Sequence, residues 1–368
     1  MQYHHVNYEA LRAFCVKVFQ GYGFNEEQSG QISDVLLAAD LSGIESHGIQ
    51  RLIRYHKEIT SGMVKLEAKP EIVFETPLSA VIEGNDCMGQ ILGVQAMQLA
   101  IDKAKKSGFG MVTVRNSNHY GIAGYYTKMA AEQGLIGMSM TNTEAIMVPT
   151  FGKQAMLGTN PIAFAMPADP VNFSFDAATT VVPRGKLEVY VKRGNGLPIG
   201  WALDENGHDS DEPDRVLSNI INKTGGGILP LGGSGDLTSG YKGYGFAMFV
   251  ELLSAILQDG SYGKALTGKG ADGKPAPFHL GHFFIAIDTD HFLGEDVCRK
   301  KAGDIIREVR GARKAPGAER IYSAGEKEYE IWQSRKDTGV PINESVQGEM
   351  SAVRDKLGLT QYVFPWEE

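Results

Sequence analysis

The spacing of apolar residues predicts that the chain begins with helices. Apolar positions recur with a helical period over 8–22 and again over 26–39, and Asn7 and Asn25 stand where an N-terminal capping residue is preferred. A third helix is predicted to begin at Ser46. The N-terminal part of the chain is therefore expected to be helical before the pattern changes.

Farther along, short apolar runs alternate with helical patterns, as expected for a mixed α/β region. The apolar helix predicted at 240–257 is expected to be buried. Residues 193–238 and 261–277 are rich in glycine and charged residues, so they are expected to form loops, and one further helix is expected in the C-terminal tail. The other predicted elements are strands at 111–114, 136–142, 161–165, 173–176, 187–191 and 283–287, and helices at 121–133 and 295–310.

The composition is that of an ordinary globular enzyme. The 368 residues, of which 42% are hydrophobic, exceed what one core usually serves, so more than one sub-domain is expected. A net charge of -8 disfavours non-specific binding to nucleic acid or to an anionic membrane, and no apolar stretch is long enough to span a bilayer.

The three cysteines show neither a disulfide framework nor a zinc spacing, and we predict no metal site. The N-terminus lacks the basic and apolar regions of a signal peptide. These features favour a reducing compartment and, as our expectation, a cytoplasmic protein.

The segment Ser46-His47-Gly48-Ile49-Gln50-Arg51 carries the clearest candidate chemistry. If Ser46 caps the third helix, His47 and Arg51 are four residues apart and share one helical face. Arginine can bind a carboxylate through two parallel hydrogen bonds, and histidine can transfer the proton when a carbonyl becomes an alcohol. The pair suits a 2-oxo or 2-hydroxy acid, although such a pair alone is more often a helix-start histidine and a solvated arginine.

Three other stretches lie where predicted elements begin or end. Residues 116–124 follow a strand and open a helix, where backbone N–H groups favour an anion. Thr159 and Asn160 precede a strand, and Lys242 lies near a helix start. Each also fits an ordinary turn or helix end. No G-x-G-x-x-G motif follows a strand, which disfavours a Rossmann domain, and no G-x-S-x-G motif supports a serine hydrolase.

Taken together and in order, these stretches make the sequence similar to the malate/L-lactate dehydrogenase family, which is distinct from the Rossmann-type lactate and malate dehydrogenases. The family's usual Asp-Met-Ala-Thr-Ser and Pro-Gly-Glu are replaced by the sequences at 176–180 and 324–326. The motifs that carry the resemblance span nearly the whole chain and are Ser46-His47-Gly48-x-x-Arg51, Asn118-His119-x-Gly121-x-x-Gly124, Gly158-Thr159-Asn160-Pro161, Asp176-Ala177-Ala178-Thr179-Thr180, Gly185-Lys186, Trp201-Ala202-Leu203-Asp204, Gly240-Tyr241-Lys242-Gly243, Pro316-Gly317 and Gly325-Glu326.

The resemblance implies an α/β (α+β) fold and a particular site. A helical region is built from 1–75 and 291–368, and a central domain at 76–290 binds a nicotinamide cofactor on a largely antiparallel, non-Rossmann sheet, in a homodimer with the cofactor near the subunit interface. His47 is the implied proton donor and acceptor, oriented by Ser46. The other implied residues are His119 as a second catalytic candidate, Arg51 and Thr159 as substrate contacts, and Tyr120, Gly121, Ile122, Ala123, Gly124, Thr143, Asp176, Ala178, Thr179, Thr180, Lys242, Gly325 and Glu326 as cofactor contacts.

The implied activity is hydride transfer between NAD, or alternatively NADP, and a small 2-hydroxy or 2-oxo acid, foremost L-malate and oxaloacetate. One alternative is reduction of a cyclic imine or a sugar-derived oxo acid by the same site. Another is a cofactor-binding protein without turnover. The presence of both His47 and Arg51 argues against that last hypothesis.

Overall fold

The computed structural model describes residues 3–367, in which strands and helices alternate through the middle of the chain. The strands are β1 (Tyr3–Val6), β2 (Glu71–Glu75), β3 (Ser79–Glu83), β4 (Phe109–Ser117), β5 (Leu135–Thr141), β6 (Ile162–Met166), β7 (Phe173–Ala177), β8 (Ala202–Leu203), β9 (Gly227–Ile228), β10 (Leu280–Asp288) and β11 (Val340–Asn343). The helices are α1 (Tyr8–Tyr22), α2 (Glu26–Leu41), α3 (Leu52–Thr60), α4 (Gly89–Ser107), α5 (Ala123–Ala131), α6 (Arg184–Arg193), α7 (Pro213–Asn222), α8 (Gly240–Leu253), α9 (Glu295–Arg310), α10 (Glu326–Thr338) and α11 (Glu344–Lys356).

A seven-stranded sheet forms the centre of the molecule. Its strands lie in the order β2-β3-β4-β10-β5-β6-β7, and every neighbouring pair is antiparallel except β3 and β4. Helices α4 and α5 pack on the sheet, and the buried Phe284 of β10 belongs to the core between them. Val250 of α8 packs with Met140 and Phe283 in a separate buried cluster. The predicted α/β fold with a largely antiparallel, non-Rossmann sheet is confirmed.

The two ends of the chain meet in one helical region, as predicted. Strand β1 pairs with β11, so that Val6 lies opposite Val340. Helix α2 packs against α10, and α3 packs against α11. The guanidinium of Arg335 in α10 donates to the carboxylate of Glu45 at 2.7 Å and also to the backbone carbonyl of Asp40. The C-terminal helices therefore support the segment that carries His47.

The helix predicted from Ser46 is wrong in its first turns. Two short 3-10 turns, Glu45–His47 and Ile49–Arg51, precede α3. Gly48 between them has φ -87° and ψ -146°, which is not helical, and the N–H of Ile49 bonds the side chain of Asp40. His47 and Arg51 are therefore brought to the same site by a bent segment and not by one face of an α-helix.

Three other expectations also need correction. Residues 187–191, predicted as a strand, lie within α6, and 213–222, expected to be loop, form α7. Helices α6 and α7 pack together around Leu187. The apolar residues at 187–191 serve this contact between helices, and a short apolar run by itself does not distinguish a strand from a helix. The tail contains two helices, α10 and α11, where one was predicted.

Helix α8 was expected to be buried, and one side of it is. Ala247 and Val250, on the inner side of the helix, are fully buried. The opposite side is apolar but open: Phe246, Phe249 and Leu252 are 54%, 46% and 45% exposed. Among the helices of residues 3–367, none combines the length and apolarity needed to cross a bilayer. The exposed side of α8 is therefore an apolar surface that one copy of this chain leaves uncovered.

Candidate functional site

A cavity of about 440 Å³ lies where the bent segment before α3 meets the start of α5, the loops around β5 and β6, and the start of α6. It holds most of the residues that the sequence nominates for catalysis and substrate binding. Its polar lining residues are Ser46, His47, Arg51, Arg54, His119, Thr143, Glu144, Thr159, Asp176, Arg184 and Glu188, and its apolar or backbone lining includes Ile44, Gly121, Ile122, Ala123, Ile146, Ala178, Phe278 and Leu280.

The two candidate histidines lie side by side in this cavity. The rings of His47 and His119 are stacked with their centroids 5.7 Å apart and their planes 25° from parallel. Burial, followed by the positive charges of Arg51 and Arg54, lowers the pKa of His47 to about 4. Burial also lowers the pKa of His119 well below that of a free histidine. Both rings are therefore neutral at pH 7.

Each histidine is held by its Nδ1 atom. The Ser46 hydroxyl lies 2.9 Å from Nδ1 of His47. The Tyr55 hydroxyl lies 2.8 Å from Nδ1 of His119, and the N–H of Gly121 points to the same atom from 3.4 Å. Within residues 3–367 neither Nε2 atom has a hydrogen-bond partner. Both rings are thus oriented by the protein and keep one nitrogen for a ligand.

The arginines of the cavity differ in whether their charge is already paired. Arg54 donates to Glu58 at 2.6 Å, and Arg184 forms an ion pair with Glu188 at 3.2 Å. Arg51 forms no ion pair with any carboxylate of residues 3–367, and its Nε atom donates to the backbone carbonyl of Ser46 at 2.5 Å. Burial and the charge of Arg54 lower the pKa of Arg51. Arg51 is therefore the cavity arginine whose guanidinium is best placed to gain an anionic partner.

Of the predicted cofactor residues, those at the start of α5 and at the end of β7 line the cavity or adjoin it. The backbone of 121–123 faces the cavity, and the N–H of Gly124 donates to the carboxylate of Asp176 at 2.7 Å. A second cavity, of about 270 Å³, shares Ile122 and Asp176 with the first. Its other polar lining residues include Ser174, Lys128, Tyr322, Ser323, Lys327 and Glu328, together with the backbone of Gly124 and Gly325.

Other predicted cofactor residues lie outside both cavities in this single chain. Tyr120 is buried, stacks on His282 and lies 3.1 Å from the Ser139 hydroxyl. Thr179 is also buried, and its hydroxyl donates to the backbone carbonyl of Thr159 at 3.0 Å. These two side chains support the cavity wall from behind.

Three more positions complete this set. Thr180 is buried next to Thr179. Glu326 forms ion pairs with Arg310 and Arg320, and Lys242 is exposed at the start of α8. None of the three lines the main cavity of the chain as described for residues 3–367.

Sequence reasoning missed several residues that shape the site. Tyr55, fully buried in α3, was not singled out, yet it orients His119 from 64 residues away in the chain. Arg184 is the first residue of α6, three residues before the stretch that was predicted as a strand, and it directly precedes Gly185 of a family motif. Their roles depend on contacts between distant segments, and no local pattern signals them.

The residues that line the two cavities fit a nicotinamide nucleotide. The N-terminus of α5 faces the cavity, and the backbone N–H groups of Ile122 and Ala123, which have no partner within residues 3–367, favour a phosphate, whereas that of Gly124 already donates to Asp176. Lys128, one turn farther along α5, and Lys327 line the adjoining cavity together with the acidic residues Asp176 and Glu328, so an anionic ligand would have to bind through the two lysines. Within residues 3–367 no three His, Cys, Asp or Glu side chains are grouped as a metal would need.

Comparisons with known proteins identify relatives along nearly the whole chain. The family described as malate/L-lactate dehydrogenase matches residues 6–351. The malate dehydrogenase of Pyrococcus horikoshii is 42% identical over 351 residues, which are 95% of either chain. The L-sulfolactate dehydrogenase of Methanocaldococcus jannaschii is 37% identical over 354 residues, 95% of this chain and 96% of that one. A crystal structure of malate dehydrogenase from Entamoeba histolytica superposes with a TM-score of 0.94 at 38% identity, covering 99% of this chain and all of that one.

Proposed function

This chain belongs to the malate/L-lactate dehydrogenase family, and on that premise we propose that it interconverts L-malate and oxaloacetate with NAD as the hydride carrier. The enzyme is a dehydrogenase of the nicotinamide-dependent type that this family comprises. The choice of L-malate is supported by the relatives from Pyrococcus horikoshii and Entamoeba histolytica, which are malate dehydrogenases. The observation that carries the proposal is the unpaired Arg51 beside the neutral His47 in one cavity.

In this proposal Arg51 binds the C1 carboxylate of the substrate. Its guanidinium has no carboxylate partner among the described residues 3–367, while its Nε atom is anchored to the Ser46 carbonyl. The remaining N–H groups can meet both oxygens of a carboxylate, which fixes the orientation of the adjacent C2 atom. A bound carboxylate would also offset the cost of burying this charge. Arg51 thus presents one face of C2 to the cofactor.

His47 serves as the base in oxidation and as the acid in reduction. We assign the proton on Nδ1 to the hydrogen bond with Ser46, since this leaves a lone pair on Nε2. Nε2 then accepts the proton of the C2 hydroxyl as the hydride leaves C2. Bound NAD supplies the acceptor for that hydride. A neutral ring is ready for this step at pH 7, because the pKa of His47 is lowered to about 4.

His119 has a different role in the same proposal. The N–H of Gly121 can only donate, so Nδ1 of His119 accepts from it and from the Tyr55 hydroxyl. The ring proton is therefore assigned to Nε2, which offers a fixed hydrogen-bond donor to the cavity. Loss of that proton would leave an imidazolate, so His119 orients a substrate or carboxamide oxygen and His47 transfers the proton.

The cofactor is proposed to bind along both cavities, with its nicotinamide beside the histidines. The backbone of 121–123 and the side chains of Thr143 and Asp176 line the part shared with the substrate. Lys128 lines the adjoining part, where it can meet a phosphate. NAD is the first choice and NADP the alternative. We also retain, as a proposal, the division at 75 and 290 into a cofactor domain and a helical region.

The proposed substrate and cofactor predict a defined pattern of turnover. Oxidation of NADH, followed at the absorbance of the reduced nicotinamide, is expected to be fastest with oxaloacetate, at least about tenfold above pyruvate, because a second anionic group can interact with the arginine-rich cavity. NADPH, 3-sulfopyruvate and a cyclic imine carboxylate complete the panel. Turnover of the imine alone would replace this proposal by the imine reductase alternative. Cofactor binding without any turnover would favour the non-catalytic alternative.

We further propose that the enzyme is a cytoplasmic homodimer joined through α8. Its outer surface is apolar over two turns, and Ile256, which follows the helix, is 62% exposed. Exposed apolar surfaces of this kind commonly mark an interface. Lys242 lies at the start of the same helix, so in such a dimer it is available to the site of the partner subunit. The three free cysteines support a reducing compartment.

Phe249→Glu is expected to convert the dimer into a monomer, because the carboxylate would be buried without a partner. The measurement is molar mass by light scattering during gel filtration. Phe292→Glu is the matched control, since Phe292 is 70% exposed and lies outside α8. A dimer that survives Phe249→Glu and dissociates with Phe292→Glu would place the interface elsewhere.

A further inference from the structure

Asp40 is a buried carboxyl group that the proposed reaction does not use. It lies near the end of α2 and is 1% exposed. Its Oδ2 atom accepts the N–H of Ile49 at 2.6 Å, whereas Oδ1 has no hydrogen-bond partner within residues 3–367. The carboxyl thus reaches nine residues along the chain to the turn between His47 and Arg51.

Gly48 completes this contact from the other side. A Cβ atom at position 48 would overlap the carboxyl group of Asp40. The φ angle of Gly48 is -87°, so a side chain is excluded by lack of space and not by backbone conformation. The two residues therefore fit as a pair, and the carboxyl packs directly on the backbone between the two 3-10 turns.

The surroundings favour a neutral carboxyl. The pKa of Asp40 is raised to about 8, mainly by burial and to a smaller extent by the charge of Glu45. The hydrogen bond from the Ile49 N–H and the charge of Arg335 act in the opposite direction. Arg335 bonds the backbone of Asp40 and the carboxylate of Glu45 and not the Asp40 carboxyl. Asparagine resembles the protonated form in shape and keeps an oxygen for Ile49.

We propose that Asp40 is a positioning residue, which acts with Gly48 to set the placement of His47 relative to Arg51. His47 directly precedes Gly48, and Arg51 ends the turn that the Ile49 N–H begins. Because that N–H is fixed by the Asp40 carboxyl, the proton-transfer group and the carboxylate-binding group keep one spacing. The inference rests on the proposed roles of His47 and Arg51.

A double-mutant cycle with a conservative variant tests this coupling. Asp40→Ala is expected to lower kcat/KM for oxaloacetate about 100-fold, mainly through kcat, because small displacements of aligned groups are costly. Asp40→Asn is expected to stay within about threefold of wild type, since its oxygen can accept the same N–H. Gly48→Ala is expected to lose about 100-fold, and adding Asp40→Ala to it is expected to cost no more than about threefold further.

The measurements are kcat and KM for each variant, the Kd for NADH, and hydrogen exchange at the Ile49 amide. Slow exchange is expected in wild type and Asp40→Asn and fast exchange in Asp40→Ala, with the Kd for NADH unchanged in all variants. Wild-type kinetics and exchange in Asp40→Ala would overturn the proposal, as would an Asp40→Asn variant as impaired as Asp40→Ala, or multiplicative losses in the double variant. Lack of turnover in the wild type would refute the proposed function, and the exchange data would still decide whether the Asp40 carboxyl holds the turn.

Discussion

Arg51→Ala is expected to lower kcat/KM for L-malate by about 10³-fold, because removal of one partner of a buried charge pair costs several kcal/mol. Arg54 and Arg184 are each paired with a glutamate, whereas Arg51 has no carboxylate partner in the described part of the chain, so its loss removes the cavity arginine proposed to bind the C1 carboxylate. The Kd for NADH is expected to stay the same. Steady-state kinetics with L-malate and calorimetry with NADH measure the two effects.

Two further variants define what Arg51 contributes. Arg51→Lys is expected to recover only part of the loss, since an ammonium group cannot bind both carboxylate oxygens in parallel. Added guanidinium ion is expected to raise the activity of Arg51→Ala. Arg313→Ala is the matched control, because Arg313 is exposed and is not among the residues that line the cavity. Wild-type KM and kcat in Arg51→Ala would refute the assignment.

His47→Gln is expected to lower kcat/KM for L-malate by about 10³-fold, within the range that a positioned acid–base group contributes. The pH dependence distinguishes His47 from His119. Since the pKa of His47 is about 4 and its neutral form is the base, kcat/KM for malate oxidation is expected to be level above about pH 5 and to fall tenfold per unit below pH 4.

The reverse reaction should show the opposite slope. Reduction of oxaloacetate needs protonated His47, whose fraction rises tenfold for each pH unit below neutrality until the pKa is reached. Its kcat/KM is therefore expected to increase between pH 8 and pH 5. His47→Gln should abolish this slope, while His119→Gln should lower the rate and retain it. If the pH dependence survives in His47→Gln and vanishes in His119→Gln, the acid–base role belongs to His119 and not to His47.

Five of the seven strands of the central sheet, β4, β5, β6, β7 and β10, could be predicted from short apolar runs, whereas β2, which is exposed along its whole length, and its neighbour β3 were not identified. Strands β4, β5 and β10 are packed by α4 and α5 on one side, and Val250 of α8 packs on the other, so their sequences contain few polar residues. The same logic failed at 187–191, whose alternating pattern serves a helix that packs against its neighbour α7.

Two further errors, in the segment before α3 and in the burial of α8, have causes outside local sequence. The bent segment at 45–51 is fixed by a carboxyl group on α2, which no periodicity reveals. Helix α8 is apolar on all sides, and such a helix is normally buried. One chain alone leaves its outer side exposed, which agrees with the proposal that a second copy of the chain packs on it.

In the candidate site, the sequence identified the side chains proposed to contact the substrate, but it did not identify the side chains that orient them. His47, Arg51 and His119 were recognisable by residue type and motif, and the structure brings all three to one cavity. Tyr55 reads as an ordinary core residue in a helix. Its hydroxyl matters because the fold places it against His119.

The pairing of β1 with β11 also dictates when this enzyme becomes active during its synthesis. The segment with His47 and Arg51 is made early, but Arg335 and strand β11, which support it, are made near the end. At ribosomal speeds of 5–20 residues per second, the finished segment waits about 15–60 s for these partners. Until then the apolar side of α2 lacks its C-terminal cover. A ribosome that stalls in this interval would carry a nascent chain that contains His47 and Arg51 but has not yet made the C-terminal elements that support them.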